Sequence, residues 1–292
     1  GWRWIFWLNL PVCVLAMLVG WRAIPSVGRL AGLRPALLGE AVITAAAALG
    51  LMLALNTAAE SGWAAPALLL LLLAAAAVVV WLRLPTATPV VEALRRRALA
   101  GQLAALVLGA IVAGAVYFLV PFLLQGVLGQ SAAEAGMVLL AMPLAMALTS
   151  QVGGQAADRF GARPAAAAGT LLIVAAGLLL LPLDPSWSGL DVAWRLALIG
   201  LGSGFFAGPN QSGILAATPP SLVGTVGALS SLGRALGFAL GPALATILWT
   251  GRQFSAEAMR PAFLMVAILA VFGVVAVLAT PRRAAPAPGA PR

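Results

Sequence analysis

The chain has 292 residues, of which 62% are hydrophobic and 9% charged, where a soluble domain averages about 45–50% and about 25%. Its net charge of +9 is carried by arginine alone, for it holds no lysine and no histidine. These figures point to a polytopic membrane protein. They exclude a soluble globular domain, and they exclude a nucleic-acid groove because the arginines sit between apolar runs instead of clustering on a solvated face. The lone Cys13 lies within an apolar run, so no disulfide framework exists.

The first apolar run begins almost at the first residue. Trp2, Trp4, Phe6 and Trp7 cluster at its start and Trp21-Arg22 close it. That is an interfacial anchor, not the small-residue cleavage site of a signal peptide. With Gly1 in first position, the chain reads as a segment of a longer protein. Nine spans are expected, over residues 4–24, 36–57, 64–83, 99–124, 134–154, 164–183, 191–213, 222–250 and 261–280. They are rich in Leu, Ala and Gly and lack the alternation of a membrane barrel, which predicts helices. The expected fold class is an all-α polytopic membrane protein with nine transmembrane helices, its first partner the lipid bilayer. Pro, Gly and charge mark the connections at 25–35, 56–63, 84–97 and 184–191, and the Ala/Pro-rich stretch 282–292 is expected to be disordered.

Arginine placement orients the spans. Twelve arginines, Arg95, Arg96, Arg97, Arg159 and Arg163 among them, fall on one side; Arg3, Arg195, Arg252 and Arg260 fall on the other, which also holds Glu60, Glu134, Asp184, Asp191 and Glu257. The arginine-rich side is read as cytoplasmic. This puts the start of the chain outside the cell membrane and its end in the cytoplasm.

A polar island interrupts the middle of the chain: Gly154-Gln155-Ala156-Ala157-Asp158-Arg159-Phe160-Gly161-Ala162-Arg163-Pro164. Gly154 removes a side chain where two helix ends approach. Gly161 supplies the positive φ that ends a helix, and Pro164 suits the first turn of the next. Asp158 is placed to pair with an arginine or to sit at a helix N-terminus, with Arg159 and Arg163 at headgroup level.

The spacing Gly154-x-x-x-Asp158-Arg159-x-Gly161-x-Arg163 resembles the loop signature of the major facilitator superfamily of transporters. Trp2-Arg3-Trp4-Ile5-Phe6-Trp7-Leu8-Asn9-Leu10-Pro11 resembles the opening of the sixth helix in that family's fourteen-helix drug:proton antiporter branch. Pro121-Phe122-Leu123-Leu124-Gln125-Gly126-Val127-Leu128-Gly129 and Ala133-Glu134-Ala135-Gly136 resemble the branch's ninth helix and the loop after it. The resemblance implies a partial major facilitator-type helical bundle. Residues 1–25 would be the last helix of a missing N-terminal bundle, and 26–97 two extra linker helices with a cytoplasmic loop. Residues 98–281 would be a complete C-terminal six-helix bundle of two inverted three-helix repeats, and 282–292 a disordered cytoplasmic tail.

The resemblance also places the transport cavity against the spans 99–124 and 191–213. These offer Tyr117, with Gln125 at its outer end, and Asn210, Gln211 and Ser212 beside Gly208-Pro209, where proline interrupts the helical ladder. Either these amides face a cavity or they bond across helices as structural glue. Met137, Met142 and Met146 offer either adaptable substrate contact or plain packing. Arg234 lies deep in its span, where a charge costs roughly 2.5–3.5 kcal/mol on insertion scales, so it needs water, a partner or substrate. Glu40, near the cytoplasmic end of its span, is too shallow to pair with it. Either Arg234 lines the cavity or meets the missing half, or it pairs with helix carbonyls. Around it, Gly233, Gly237, Gly241 and Pro242 form a small-residue packing stripe that faintly echoes the family's Gly-Pro antiporter motif.

By the same resemblance Gly154, Asp158, Arg159, Gly161 and Arg163 inherit a gating role, latching helices in the outward-facing state. No histidine, paired carboxylate, metal cluster or phosphate loop is legible, so an enzyme is not expected. The expected function is proton-coupled efflux of small amphipathic molecules or drugs by alternating access, with a small-molecule substrate and the missing N-terminal helices as partners. It needs no cofactor beyond a proton gradient. A carrier for one metabolite, and a non-transporting membrane fragment or scaffold, are the alternatives.

Overall fold

The computed structural model describes residues 3–23, 35–249 and 254–281, which are helical nearly throughout, with no strand among them. The expectations for the 25–35 connection, for Arg29, Arg34, Arg252, Arg282, Arg283 and Arg292, and for the tail lie outside the described residues. Among the described residues, eight helices are long and apolar enough to cross a membrane. A further apolar helix, α1 (Arg3–Ala23, 21 residues), stands at the start and is not one of those eight. Helices are what lipid demands, since each backbone N–H and C=O must find its partner within the segment.

Two compact units divide the chain, residues 1–38 and 39–292. The first contains α1, with Pro11 inside it, and the start of α2 (Pro35–Ser61). Its described side chains are exposed almost without exception, Trp4, Phe6, Trp7 and Trp21 among them.

The second unit opens with the remainder of α2 and with α3 (Ala65–Leu82), joined through Gly62 at φ 74°. Near one end of this hairpin the Trp81 indole donates to the Glu40 carboxylate at 2.8 Å. Further along, Gly50 gives α2 close access to Ala74. A 3₁₀ turn at Pro85–Ala87 leads into α4 (Thr88–Arg95), a two-turn helix with Val90 and Ala93 buried and Arg95 exposed. The sequence reading took this stretch for a loop. Its two prolines read as punctuation, yet both fall at the starts of helical turns, where the missing N–H has no partner to lose.

Six membrane-length spans then form a bundle. α5 (Arg97–Phe122) runs on into a π-helical turn at Leu123–Val127; α6 (Ala132–Leu139) and α7 (Ala141–Phe160) make one span with a break at Leu140; α8 (Ala162–Leu179), α9 (Gly189–Ala217), α10 (Val223–Leu248) and α11 (Ala256–Leu278) follow. Among the long helices, α7 packs on α9 as α10 does on α5, and α8 on α9 as α11 on α5. The pair α7–α8 corresponds to α10–α11, while α5 meets α9 and α8 meets α11. Exchanging the trio α5, α7, α8 with α9, α10, α11 leaves that pattern unchanged, as inverted repeats require.

The α6–α7 span and α9 begin earlier and end later than the expected 134–154 and 191–213, and polar residues set their starts. Ser131 with Glu134 and Ser188 with Asp191 form capping boxes that start α6 and α9. The sequence reading assigns neither acid a capping role: both count as charges on the arginine-poor side, and Glu134 also belongs to the segment 133–136 that carries the family resemblance. The main core, with Phe263, Met259, Leu119 and Leu196, fills the half of the bundle that holds these caps. A smaller cluster of Leu99, Leu103, Ile214 and Val226 closes part of the other half.

Candidate functional site

The polar island is less of a loop than its composition implies. Helix α7 continues through Phe160, and the turn reduces to Gly161, whose φ of 94° lets its N–H reach the Ala157 carbonyl at 2.9 Å and then opens α8. Pro164 falls in the first turn of α8, as its fixed φ favours. Gly154 departs from expectation: a Cβ built there meets nothing within 4 Å, whereas one on the neighbouring Gly153 would lie 2.8 Å from the Phe205 Cα on α9. The close approach belongs to Gly153, because successive helix residues point about 100° apart and only one can face the neighbour.

Arg163 donates to the carbonyl of Leu278, the last residue of α11, placing a cation where the helix dipole is negative. Its Nε is buried without a partner. Asp158 and Arg159 are exposed in the last turn of α7, and Arg159 lies 5.3 Å from the Phe160 ring. The ion pairs among the described residues are Arg96 with Glu92 and Arg195 with Asp191, so Asp158 has no arginine against it here.

Beneath this turn lies a cavity of about 590 Å³, bounded by the first turn of α5, the Gly161 turn, the last turns of α9 and the end of α11. Gln102 lines it, its amide pressed against Gly213 so closely that a Cβ there would collide with it. Sequence reasoning passed over Gln102, although it is an amide in the span 99–124, one of the two that the resemblance sets against the cavity. The two are neighbours: Asn210, 3% exposed, donates to the Gln102 carbonyl at 3.2 Å. Asn210 thus bonds from α9 to α5. The side-chain oxygens of Gln102, Asn210 and Gln211 are buried without a partner.

Tyr117 and Arg234 fall on a different surface. Arg234 is the twelfth residue of the 26-residue α10 and is exposed, with no described acid paired to it. Phe238, one turn on and on the same helix face, sets its ring 6.0 Å from that of Tyr117 on α5. Gln125 stands apart in the π-helical turn, donating weakly to the Pro121 carbonyl at 3.4 Å. Of the methionines, Met142 is buried while Met137 and Met146 are exposed.

The glycine stripe has a twin that sequence reading missed. Gly233, Gly237, Gly241 and Pro242 in α10 repeat the spacing of Gly200, Gly204, Gly208 and Pro209 in α9, each with Phe directly after the second glycine. Proline has no N–H, so the carbonyl four residues before it loses its helical partner. Those carbonyls belong to Phe205 and Phe238, and against each lies a glycine of the adjoining helix, Gly153 on α7 and Gly114 on α5. Gly237 and Gly241 bring α10 against Val107 and Ala115 in the same way. The packing role of the stripe thus has a geometric basis.

Arg195 enters the sequence reading only as one of the arginines that orient the spans. Its guanidinium lies 3.9 Å from the Trp187 ring and 4.3 Å from that of Trp194, and its Nε donates at 2.9 Å to the carbonyl of Leu179, the last residue of α8. Like Arg163, it fastens a cation to the C-terminus of a neighbouring helix.

The sequence profile described as Major Facilitator Superfamily matches residues 38–242 and 103–292. The chain belongs to the Major Facilitator Superfamily. It is 30% identical over 279 residues to the uncharacterized transporter YebQ of Escherichia coli, a match covering 93% of this chain and 60% of that protein. It is 24% identical over 258 residues to the lincomycin resistance protein LmrB of Listeria monocytogenes, covering 86% and 55%. A shorter match, 38% over 131 residues, is to the riboflavin transporter RibZ of Clostridioides difficile, covering 44% and 28%. The chain spans no more than about 60% of the length of these relatives. This superfamily is made up of transporters, and the chain is one of its multi-pass membrane proteins.

Proposed function

We propose that this chain forms the C-terminal nine helices of a proton-coupled exporter of small amphipathic molecules or drugs, working by alternating access in the cell membrane. Residues 98–281 act as one rocking bundle, α1 belongs to the partner bundle, and α2 and α3 are extra helices between the two. The observation that carries this reading is Arg234, exposed halfway along a membrane-length helix beside the Tyr117–Phe238 ring pair. Lipid is a poor solvent for such a cation, so that face serves a water-filled path, substrate or partner bundle. The lincomycin resistance relative supports export of drugs. Gly154, Asp158, Arg159, Gly161 and Arg163 act as the gate: Arg163 ties α8 to α11 while Asp158 stays available for a partner in another state.

Efflux from cells expressing the full-length protein, with and without a proton gradient, tests the proposal. Export that collapses with the gradient is expected; export indifferent to it would refute proton coupling. A carrier for a single metabolite is the second reading, favoured by the likeness to the riboflavin transporter. Transport of one compound and rejection of a drug panel would select it.

A further inference from the structure

We propose that the arginines at the junction of α4 and α5 form a docking patch for the headgroups of anionic phospholipids. The patch is separate from the Arg234 face and does not depend on what the protein transports. Its depth follows from the spans on either side. The span of α3 ends at Leu82 and that of α5 starts at Arg97. Between them α4, eight residues long, rises only about 12 Å, too little to recross a hydrocarbon core about 30 Å thick. Arg83, Arg95, Arg96 and Arg97 therefore stand at one and the same bilayer surface, where lipid phosphates are the abundant anions.

The fold fixes which way the patch faces. Ala87, Val90 and Ala93, spaced by three, are buried. Ala93 belongs to the small core cluster with Leu99 of α5, Ile214 of α9 and Val226 of α10. That leaves Glu92, Leu94 and the three consecutive arginines exposed. Four arginines against one glutamate give residues 83–97 a net charge of +3. Glu92 pairs with Arg96 at 3.0 Å, and no ion pair among the described residues reaches Arg83, Arg95 or Arg97. Arg96 directly precedes α5 and Arg97 begins it, with no acid in its first turn. Both cations thus sit at the positive end of a helix dipole, which opposes them, and the counter-charge has to come from outside this segment. An exposed Leu94 among these charges suits a lipid, whose phosphate and acyl chain lie together, better than a soluble ion.

Each arginine near an anionic membrane surface is worth about a fivefold preference, or about 1 kcal/mol. To test this, the full-length protein is placed in nanodiscs of mixed phosphatidylcholine and phosphatidylglycerol, and the lipid it retains on release is counted by native mass spectrometry. The wild type is expected to carry phosphatidylglycerol in excess of its share of the bilayer. Arg95→Gln and Arg97→Gln should each lower that enrichment about fivefold. Glu92→Gln, which frees Arg96, should raise it. Arg260→Gln, the same loss of charge at an exposed residue near the start of α11, should leave it unchanged. If the arginine variants fail to insert, Glu92→Gln decides. Equal enrichment in the wild type and the α4–α5 variants overturns the proposal, and so does an equal loss in Arg260→Gln. Retention of a polyglutamate peptide at the expense of phosphatidylglycerol would make an acidic protein segment the occupant and overturn it as well.

Discussion

The backbone carbonyl of Phe238 lies directly against the α-carbon of Gly114 on the facing helix, at a place where Pro242 has deprived it of its helical partner. A Cα–H is a weak donor, but it lets two backbones meet where a side chain would hold them apart. The same arrangement joins Phe205 to Gly153 across α9 and α7. Small residues take the place that large apolar ones hold in a soluble core, because in lipid the gain comes from close packing and not from leaving water.

Adjacent glycines on α7 therefore differ in their tolerance of a methyl group. Gly153→Ala should destabilise the bundle by about 1–3 kcal/mol, as overpacking does, since backbone atoms cannot step aside. Gly154→Ala, facing open space, should be neutral or slightly stabilising, by up to about 1 kcal/mol, through the unfolded-chain entropy it removes. Thermal unfolding in detergent separates the two, and equal midpoints would contradict the helix contact.

Asn210→Leu distinguishes cross-link from substrate contact. One interhelical hydrogen bond in a membrane contributes about 0.6 kcal/mol, and the change also removes a buried unpartnered oxygen. Stability should shift by less than about 1 kcal/mol, with the transport KM unaltered. A several-fold change in KM at unchanged stability would return Asn210 to the substrate path.

Arg234→Leu should abolish or strongly reduce transport while the protein still inserts and runs as a folded species in gel filtration. Arg234→Lys should restore part of it, by keeping the charge. Turnover equal to wild type in the leucine variant would remove Arg234 from the mechanism and leave its exposure without a function.

Asp158→Asn should slow transport and spare insertion, because in this structure the carboxylate makes no ion pair whose loss could unfold the turn. Were turnover unchanged, residues 154–164 would be a connector and nothing more.

Orientation is open to a direct measurement. In a Cys13→Ser background, needed because Cys13 is exposed, Glu60→Cys should react with an impermeant thiol reagent from outside the cell and Arg96→Cys should not. Both positions are exposed, so access alone decides. Equal labelling from outside would overturn the assignment based on arginine placement.

By itself the sequence determined that the chain is helical, where each span lies, and that the turn at Gly161 needs a positive φ. Runs of apolar residues and a glycine between two helices are local facts. Only the tertiary structure decided that Gly153 and not Gly154 is the close approach, that Asn210 faces α5 while Arg234 faces outward, and that Gln102 and Arg163 share a cavity. The reason is that a helix built almost wholly of Ala, Leu and Gly shows no polar face to the eye. Without that asymmetry, nothing along the chain says which way a given side chain points until a neighbouring helix takes up one side.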